Sequence, residues 1–245
     1  GIAHDLEVLD IAVNRIGPTL GSLSGLKKLR RLDVHSNEVE SINALKGLTN
    51  LDLLAIGYNP LKSIIPLEAL PSITHLDISG LKLHSLNPLQ HMIELRSLHA
   101  SKTDTSALKP DDWKVLEGFS ALEYLNLYYS PGLKDLSHLA GLSRLRMLDI
   151  SANPIEDISP LAGLQSLTFL ALDQYGLKEL TPIAGLTSLE QLHVNAPNVE
   201  DLAPLTGMSE LRVLILPLGA TDLGPIANLT RLQVLEVQAT VDDVS

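Results

Sequence analysis

No cysteine occurs among the 245 residues, which removes disulfides, thiolate metal sites and cysteine nucleophiles together. Aromatic residues make up only 3% of the chain although apolar residues make up 45%, so its core must be aliphatic. Basic charge is scarce: Lys+Arg 18 against Asp+Glu 29 leaves a formal net charge of −11, without the basic footprint that a phosphate backbone requires. Nucleic acid is therefore not an expected partner. No run approaches the roughly 18 apolar residues of a membrane span, and the first residues lack a charged-then-apolar leader, so membrane insertion is not expected either. The length exceeds one average domain of about 150 residues. That prior assumes a globular core, and this chain is built differently.

What the chain has is a period. The pattern LxxLxLxxN registers at Leu6, Leu29, Leu51, Ile73, Leu95, Leu122, Leu145, Leu167, Leu189, Leu211 and Leu232, with spacings of 21 to 27 residues and most often 22. The stretch from Leu145 to Ser166 is a clean unit, with apolar residues at positions 1, 4, 6, 11, 14, 17 and 20. Positions 4 and 6 alternate with 3, 5 and 7, which is the two-residue period of a strand with one face buried. Each unit thus contributes one short parallel strand. Asn14, Asn37, Asn59 and Asn153 occupy position 9, where a side-chain amide can bond the turning backbone and its neighbouring coil. Leu81, Thr103, Ser130, Tyr175, Pro197, Gly219 and Thr240 fill the other seven places, so one bonding scheme cannot serve every turn.

A proline recurs later in the unit, at Pro66, Pro88, Pro160, Pro182, Pro204 and Pro225, where its fixed φ suits the start of a short helical or 3₁₀ turn. The expected fold class is α/β: a curved solenoid of about eleven 22-residue repeats, with a parallel concave β-sheet and a convex face of short turns. One unit departs from the pattern. Residues 109–118 form a helical insertion in the fifth repeat, and KPDDWKVLEGF reads as a true helix, with Pro110 in its first turn, Asp111 and Asp112 at its positive end and Gly118 to stop it. Trp113, the only tryptophan, is expected to seal this longer coil, with an exposed docking site as the alternative.

The phrases ISPLAGLQSLTFL, LTPIAGLTSLEQL and LAPLTGMSELRVL closely resemble leucine-rich repeats of the Sds22-like class, and especially the bacterial internalin-like form. The resemblance runs from about Leu6 to Thr240. It implies a leucine-rich-repeat scaffold, a single domain over residues 1–245, whose concave strand face recognises another protein. Bacterial members of the class are often surface adhesins or effectors, which slightly favours a secreted or cell-surface setting; Sds22 itself regulates a phosphatase. The helical cap and the immunoglobulin-like segment that flank internalin repeats are not recognisable here. The chain starts five residues before a registration and ends inside one, so a fragment, uncapped at both ends, is expected.

Positions 3, 5 and 7 of successive units map the solvent-facing side of the strands. Tyr124, Met147 and Phe169 fall at position 3 of consecutive units, with Tyr128 on the strand of Tyr124 and Tyr129 beside it. Four of the eight aromatic residues thus gather where burial does not call for them. Such clusters anchor protein interfaces at about 2 kcal/mol or more each. Asn126 lies among them, and Asp149, Asp173 and Asp77 suggest an acidic rim suited to a basic partner surface. The bland alternative is that the aromatics cover one another on a solvated sheet.

Other groups invite chemical readings. His75, Asp77 and His99 are neighbours on the same face near Ser79, Ser97 and Ser101. Side chains two apart on a strand stand roughly 6.5 to 7 Å apart, too far for a Ser–His bond, and an open face stays wet. No catalytic residue is expected. The same trio could hold a divalent metal, but a polar surface explains it as well, so neither a metal nor any other cofactor is expected. Val213, Ile215, Pro217, Leu218 and Val234 form a second apolar strip. The chain is expected to be a monomer with a self-contact through Val213, Ile215 and Leu218, or to be covered there by a further segment. The functional expectation is a non-enzymatic module that binds a protein through the concave face, on a bacterial surface or as an effector. Its alternatives are an intracellular regulatory subunit docked on an enzyme such as a phosphatase, and a structural spacer.

Overall fold

Period-two burial sets the strands. In a computed structural model of the chain, which describes residues 4–173, 176–217 and 222–238, positions 4 and 6 of the units face inward. Leu32 and Val34, Leu54 and Ile56, Leu148 and Ile150, and Leu192 and Val194 are each at most 1% exposed, whereas Asp33, Asp149 and His193 between them are only half-buried and Ala55 is 9% exposed. At roughly 1.5 to 3 kcal/mol per fully buried side chain, these ladders supply the main cohesion between coils. The product is a leucine-rich-repeat solenoid of parallel strands in sequence order.

Packing groups the residues into two compact units, 1–125 and 126–245. Each coil of a solenoid touches only its neighbours, so no core is shared along the whole length. The first unit carries β1 (Val8–Asp10), β2 (Arg31–Asp33), β3 (Leu53–Ala55), β4 (His75–Asp77) and β5 (Ser97–His99), paired in parallel with like positions side by side. The unit boundary falls inside β6 (Tyr124–Asn126). The second unit carries β7 (Met147–Asp149), β8 (Phe169–Ala171), β9 (Gln191–His193), β10 (Val213–Pro217) and β11 (Val234–Gln238), paired the same way.

The return arms are 3₁₀ turns, and the sequence explains why. Ile42, Leu45, Leu48 and Leu51 are all at most 1% exposed and recur every three residues. That is the period of a 3₁₀ helix, in which residues i and i+3 lie one above the other. The insertion obeys the same rule. Pro110–Gly118 is a 3₁₀ helix throughout, and this corrects the reading of that segment as a fuller helix. Trp113, Leu116 and Phe119, again three apart, are 4%, 1% and 0% exposed, so the tighter helix buries all three on one side. Trp113 seals the coil and offers no exposed docking site.

Strand ends turn through an unusual corner. Val13, Ser36, Tyr58, Lys102, Tyr129 and Ala152 share position 8 and all have φ between 51° and 58°, a left-handed conformation that costs a non-glycine residue about 1–2 kcal/mol. Hydrogen bonds to the next coil hold it: Tyr58 N–H donates to the Ser79 carbonyl at 2.7 Å and Tyr129 N–H to the Ser151 carbonyl at 3.0 Å. Position 9 fixes the turn further. Asn59 Nδ2 donates to the carbonyls of Val34, Ile56 and Gly57 while its Oδ1 accepts from Val39 N–H, and Asn153 does the equivalent for Leu127, Ile150, Ser151 and Ser130. Thr103 substitutes with a bond to the Ile78 carbonyl, whereas Asn14 is exposed and bonds only its own turn. Tyr175, Gly219 and Thr240 lie outside the described residues.

Candidate binding surface

Solvent-facing strand positions place every expected site residue on the exposed side of the sheet strands or at the corner after them. The unit boundary lies between Leu125 and Asn126, so Tyr124 belongs to the first unit and Tyr128, Tyr129 and Phe169 to the second. Two surfaces result, each built on its own strands.

In the first unit, His99 on β5 stacks on Tyr124 with ring centroids 4.3 Å apart and planes 26° apart. Burial pushes the His99 imidazole below its ordinary value of 6.5, against the opposing charge of Asp77 and with a contribution from His75. Asp77 Oδ1 accepts from Ser79 N–H at 2.8 Å, and His75 Nδ1 lies 2.9 Å from the Thr74 hydroxyl. The Ser101 hydroxyl donates to Ser79 Oγ at 3.2 Å. Among the described residues, no group of three or more His, Cys, Asp or Glu side chains is arranged to hold a metal ion.

In the second unit, Met147 on β7 stands in register beside Phe169 on β8. Met147 is 40% exposed, and Phe169 is half-buried with its ring edge-on to His193 at 5.1 Å. Tyr128 and Tyr129 lean on each other at 6.4 Å, and Tyr129 is 58% exposed. Asn126 Oδ1 accepts from Tyr128 N–H at 2.9 Å and Asp149 Oδ1 from Ser151 N–H at 3.0 Å. Asp173 N–H donates to Ser151 Oγ, and Asp173 Oδ1 accepts from Asn195 N–H. Burial raises the Asp173 carboxyl above the usual carboxylate range; the Asn195 bond opposes that shift and the Asp149 charge adds to it.

The acidic rim is thereby redefined. Asp10, Asp33, Asp77, Asn126 and Asp149, all at position 5, each accept the N–H two residues on, so one carboxylate or amide oxygen ties the strand end to its corner. Their recurrence at position 5, in five of the eleven units, was the available signal. Likewise Asp135, Asp157 and Asp201, just before the 3₁₀ turns, accept from Ser137, Ser159 and Ala203 N–H. His193, the ring partner of Phe169, carries no signal in the sequence that sets it apart. In the expected self-contact strip, Val213 and Ile215 are half-buried on β10, and Leu218 lies outside the described residues.

A family model for leucine-rich repeats in two copies matches residues 4–47. Comparison with curated proteins gives no match. Among solved structures, an internalin (InlF) of Listeria monocytogenes is 25% identical, with 97% of this chain and 82% of that one covered at a TM-score of 0.67. A leucine-rich-repeat protein of Leptospira interrogans is 21% identical over 96% of this chain and 62% of that one, at a TM-score of 0.83. The leucine-rich-repeat ectodomain of an Arabidopsis thaliana membrane receptor kinase, solved in complex with Casparian strip integrity factor 2, is 19% identical over 96% and 36%, at 0.62. Residues 4–47 thus match leucine-rich repeats, and the fold of the chain is similar to that of the internalin and of the other leucine-rich-repeat solenoids. This fold is typical of protein–protein interaction modules, and no catalytic family is indicated. Among the described residues no helix is long and apolar enough to cross a membrane.

Proposed function

We propose that the chain is a non-enzymatic module that holds a protein partner on the solvent-facing side of its strands, with Met147 and Phe169 as the anchor in the second unit. The observation that carries this reading is their register: two large apolar side chains stand side by side at positions that face water, with Phe169 braced by the His193 ring. A braced aromatic loses little freedom on binding, and desolvating such a pair is worth about 2 kcal/mol or more per side chain. Asp149 and Asp173 beside it favour a partner patch that is basic around an apolar centre. In the first unit the His99–Tyr124 stack, with His75 and Asp77, offers a further contact surface. The likeness to solenoids of Listeria and Leptospira supports a bacterial surface or effector setting.

The test is capture by the immobilised chain from a bacterial and an animal-cell extract, run in parallel with Met147→Ala/Phe169→Ala and with Tyr124→Ala. The reading expects a protein retained by the unaltered chain and lost from the double variant, with a smaller loss for Tyr124→Ala. Equal retention by all three, with their folds intact, refutes the anchor.

A further inference from the structure

We infer that the coil of β3 forms a groove for one positively charged side chain, a lysine or arginine, of a protein partner. The inference rests on the strand face being a binding surface and names one contact within the first unit.

Its floor is small and apolar. Position 3 is Leu53, half-buried; position 5 is Ala55, 9% exposed; position 7 is Gly57, buried. No other coil places two residues as small as Ala55 and Gly57 at positions 5 and 7. The neighbouring strands supply higher walls. Register sets Asp33 on one side of Ala55 and Asp77 on the other, and Arg31 and His75 on either side of Leu53. Strands lie about 4.8 Å apart, so the walls are separated by roughly 10 Å and a group centred over Ala55 lies about 5 Å from each.

The walls are preset by bonds of their own. Asp33 Oδ1 accepts from His35 N–H at 3.0 Å and lies 2.9 Å from the His35 ring Nδ1, while Asp77 Oδ1 accepts from Ser79 N–H at 2.8 Å. These bonds engage one oxygen of each carboxylate, and Oδ2 of each is without a bonded partner among the described residues. Asp77 Oδ1 stands 3.1 Å from where a Cβ on Gly57 would be, and the Ser79 carbonyl 2.8 Å, so even an alanine there would press on the wall. Arg31 is turned to Asp52, its Nε 4.0 Å from Oδ1.

The chemistry of the occupant follows. Among the described residues no group of three or more His, Cys, Asp or Glu is arranged here to hold a metal ion, whose oxygen shell needs several ligands at about 2 to 2.6 Å. A guanidinium or ammonium is larger and projects on an aliphatic stem. The stem would lie on Leu53 and Ala55, with the charge between Asp33 and Asp77. An acidic side chain would face two like charges, and a neutral one would leave both carboxylates partly desolvated without a counter-charge.

The whole chain, labelled at alanine and leucine methyls, is titrated by NMR with acetyl-Leu-Arg-Leu-amide, and with the same peptide carrying Gln or Glu in place of Arg. The Arg peptide is expected to shift the Ala55 and Leu53 methyls saturably, at least tenfold more tightly than the Gln peptide, with no response to Glu. Asp33→Asn/Asp77→Asn, which keeps the Oδ1 acceptors, is expected to weaken the Arg peptide at least tenfold with an otherwise unchanged methyl spectrum, and Ala55→Leu to abolish its binding. Equal response to Arg and Gln, silence at Ala55, or full binding by the Asn variant overturns the groove. Met147→Ala/Phe169→Ala serves as the separating control: it must leave the Ala55 response intact. Loss of the groove with retained capture at Met147 and Phe169 defeats this inference alone, not the wider reading.

Discussion

Asn59 makes one residue carry four bonds, three donated to carbonyls and one accepted from Val39 N–H, all in the buried turn. Asn59→Ala strands these groups away from water and is expected to cost about 2–4 kcal/mol in urea unfolding; a loss below about 0.5 kcal/mol contradicts the role assigned to it. His99 makes a second test. Its pKa is lowered by burial, so the neutral form favours the fold: its contribution is present above 6.5 and is lost as pH falls through the lowered value. Tyr124→Ala uncovers the ring, and an NMR titration should then place His99 nearer 6.5. Asp173 has the opposite sense. Its raised carboxyl favours the fold below 3.8 and costs stability as pH rises through the raised value. Asp173→Asn should therefore raise stability in urea unfolding at pH 7 by a few tenths of a kcal/mol, discounted for partial exposure, with the gain shrinking toward pH 3.8. Only part of this was legible in the sequence. A buried amide at position 9 follows from spacing, but the double duty of Asp77 and Asp149, as rim charge and strand-end acceptor, depends on where one oxygen points.

Turns and corners show how local period decides an element. LxxLxxL spacing favours a 3₁₀ arm over an α-helical one, and the insertion at Pro110–Gly118 keeps the period with Trp113, Leu116 and Phe119. The sequence locates that element and its Trp but points to the wider helix, because the acidic residues after Pro110 mark a helix start of either kind. Asp112 Oδ2 accepts from Lys109 N–H at 2.8 Å and its Oδ1 from the Ser85 hydroxyl at 2.8 Å, which joins the element to the preceding coil. Trp113→Ala is expected to cost about 3–5 kcal/mol by the cavity it leaves. Corner residues predict the reverse sign. Ala152 holds φ of 58°, so Ala152→Gly should stabilise the protein by about 0.5–1 kcal/mol; destabilisation would mean that the methyl packs usefully. Gly80, with φ of 66° and its Cα under the Tyr58 ring, is the one corner where glycine already meets both demands.

At the scale of the molecule, eleven registrations of one pattern make the solenoid legible from the residues alone, since each inward leucine repeats the same instruction. The binding surface is legible only where it adds side chains. Met147 and Phe169 announce themselves as large apolar residues at outward positions, whereas the β3 groove arises from what Ala55 and Gly57 lack, and small residues form no motif. Net charge of −11 acts on the whole and favours basic partners at long range, so association should slow as salt rises. The central claim is that the strand face binds a protein through Met147 and Phe169. It is tested most directly by titrating a captured partner against the unaltered chain and Met147→Ala/Phe169→Ala, with the urea midpoint of each measured in the same preparation. The account predicts an affinity loss of at least thirtyfold, which corresponds to about 2 kcal/mol, with a nearly unchanged midpoint. Intact affinity beside a large fall in the midpoint would contradict it and make the pair a structural cover.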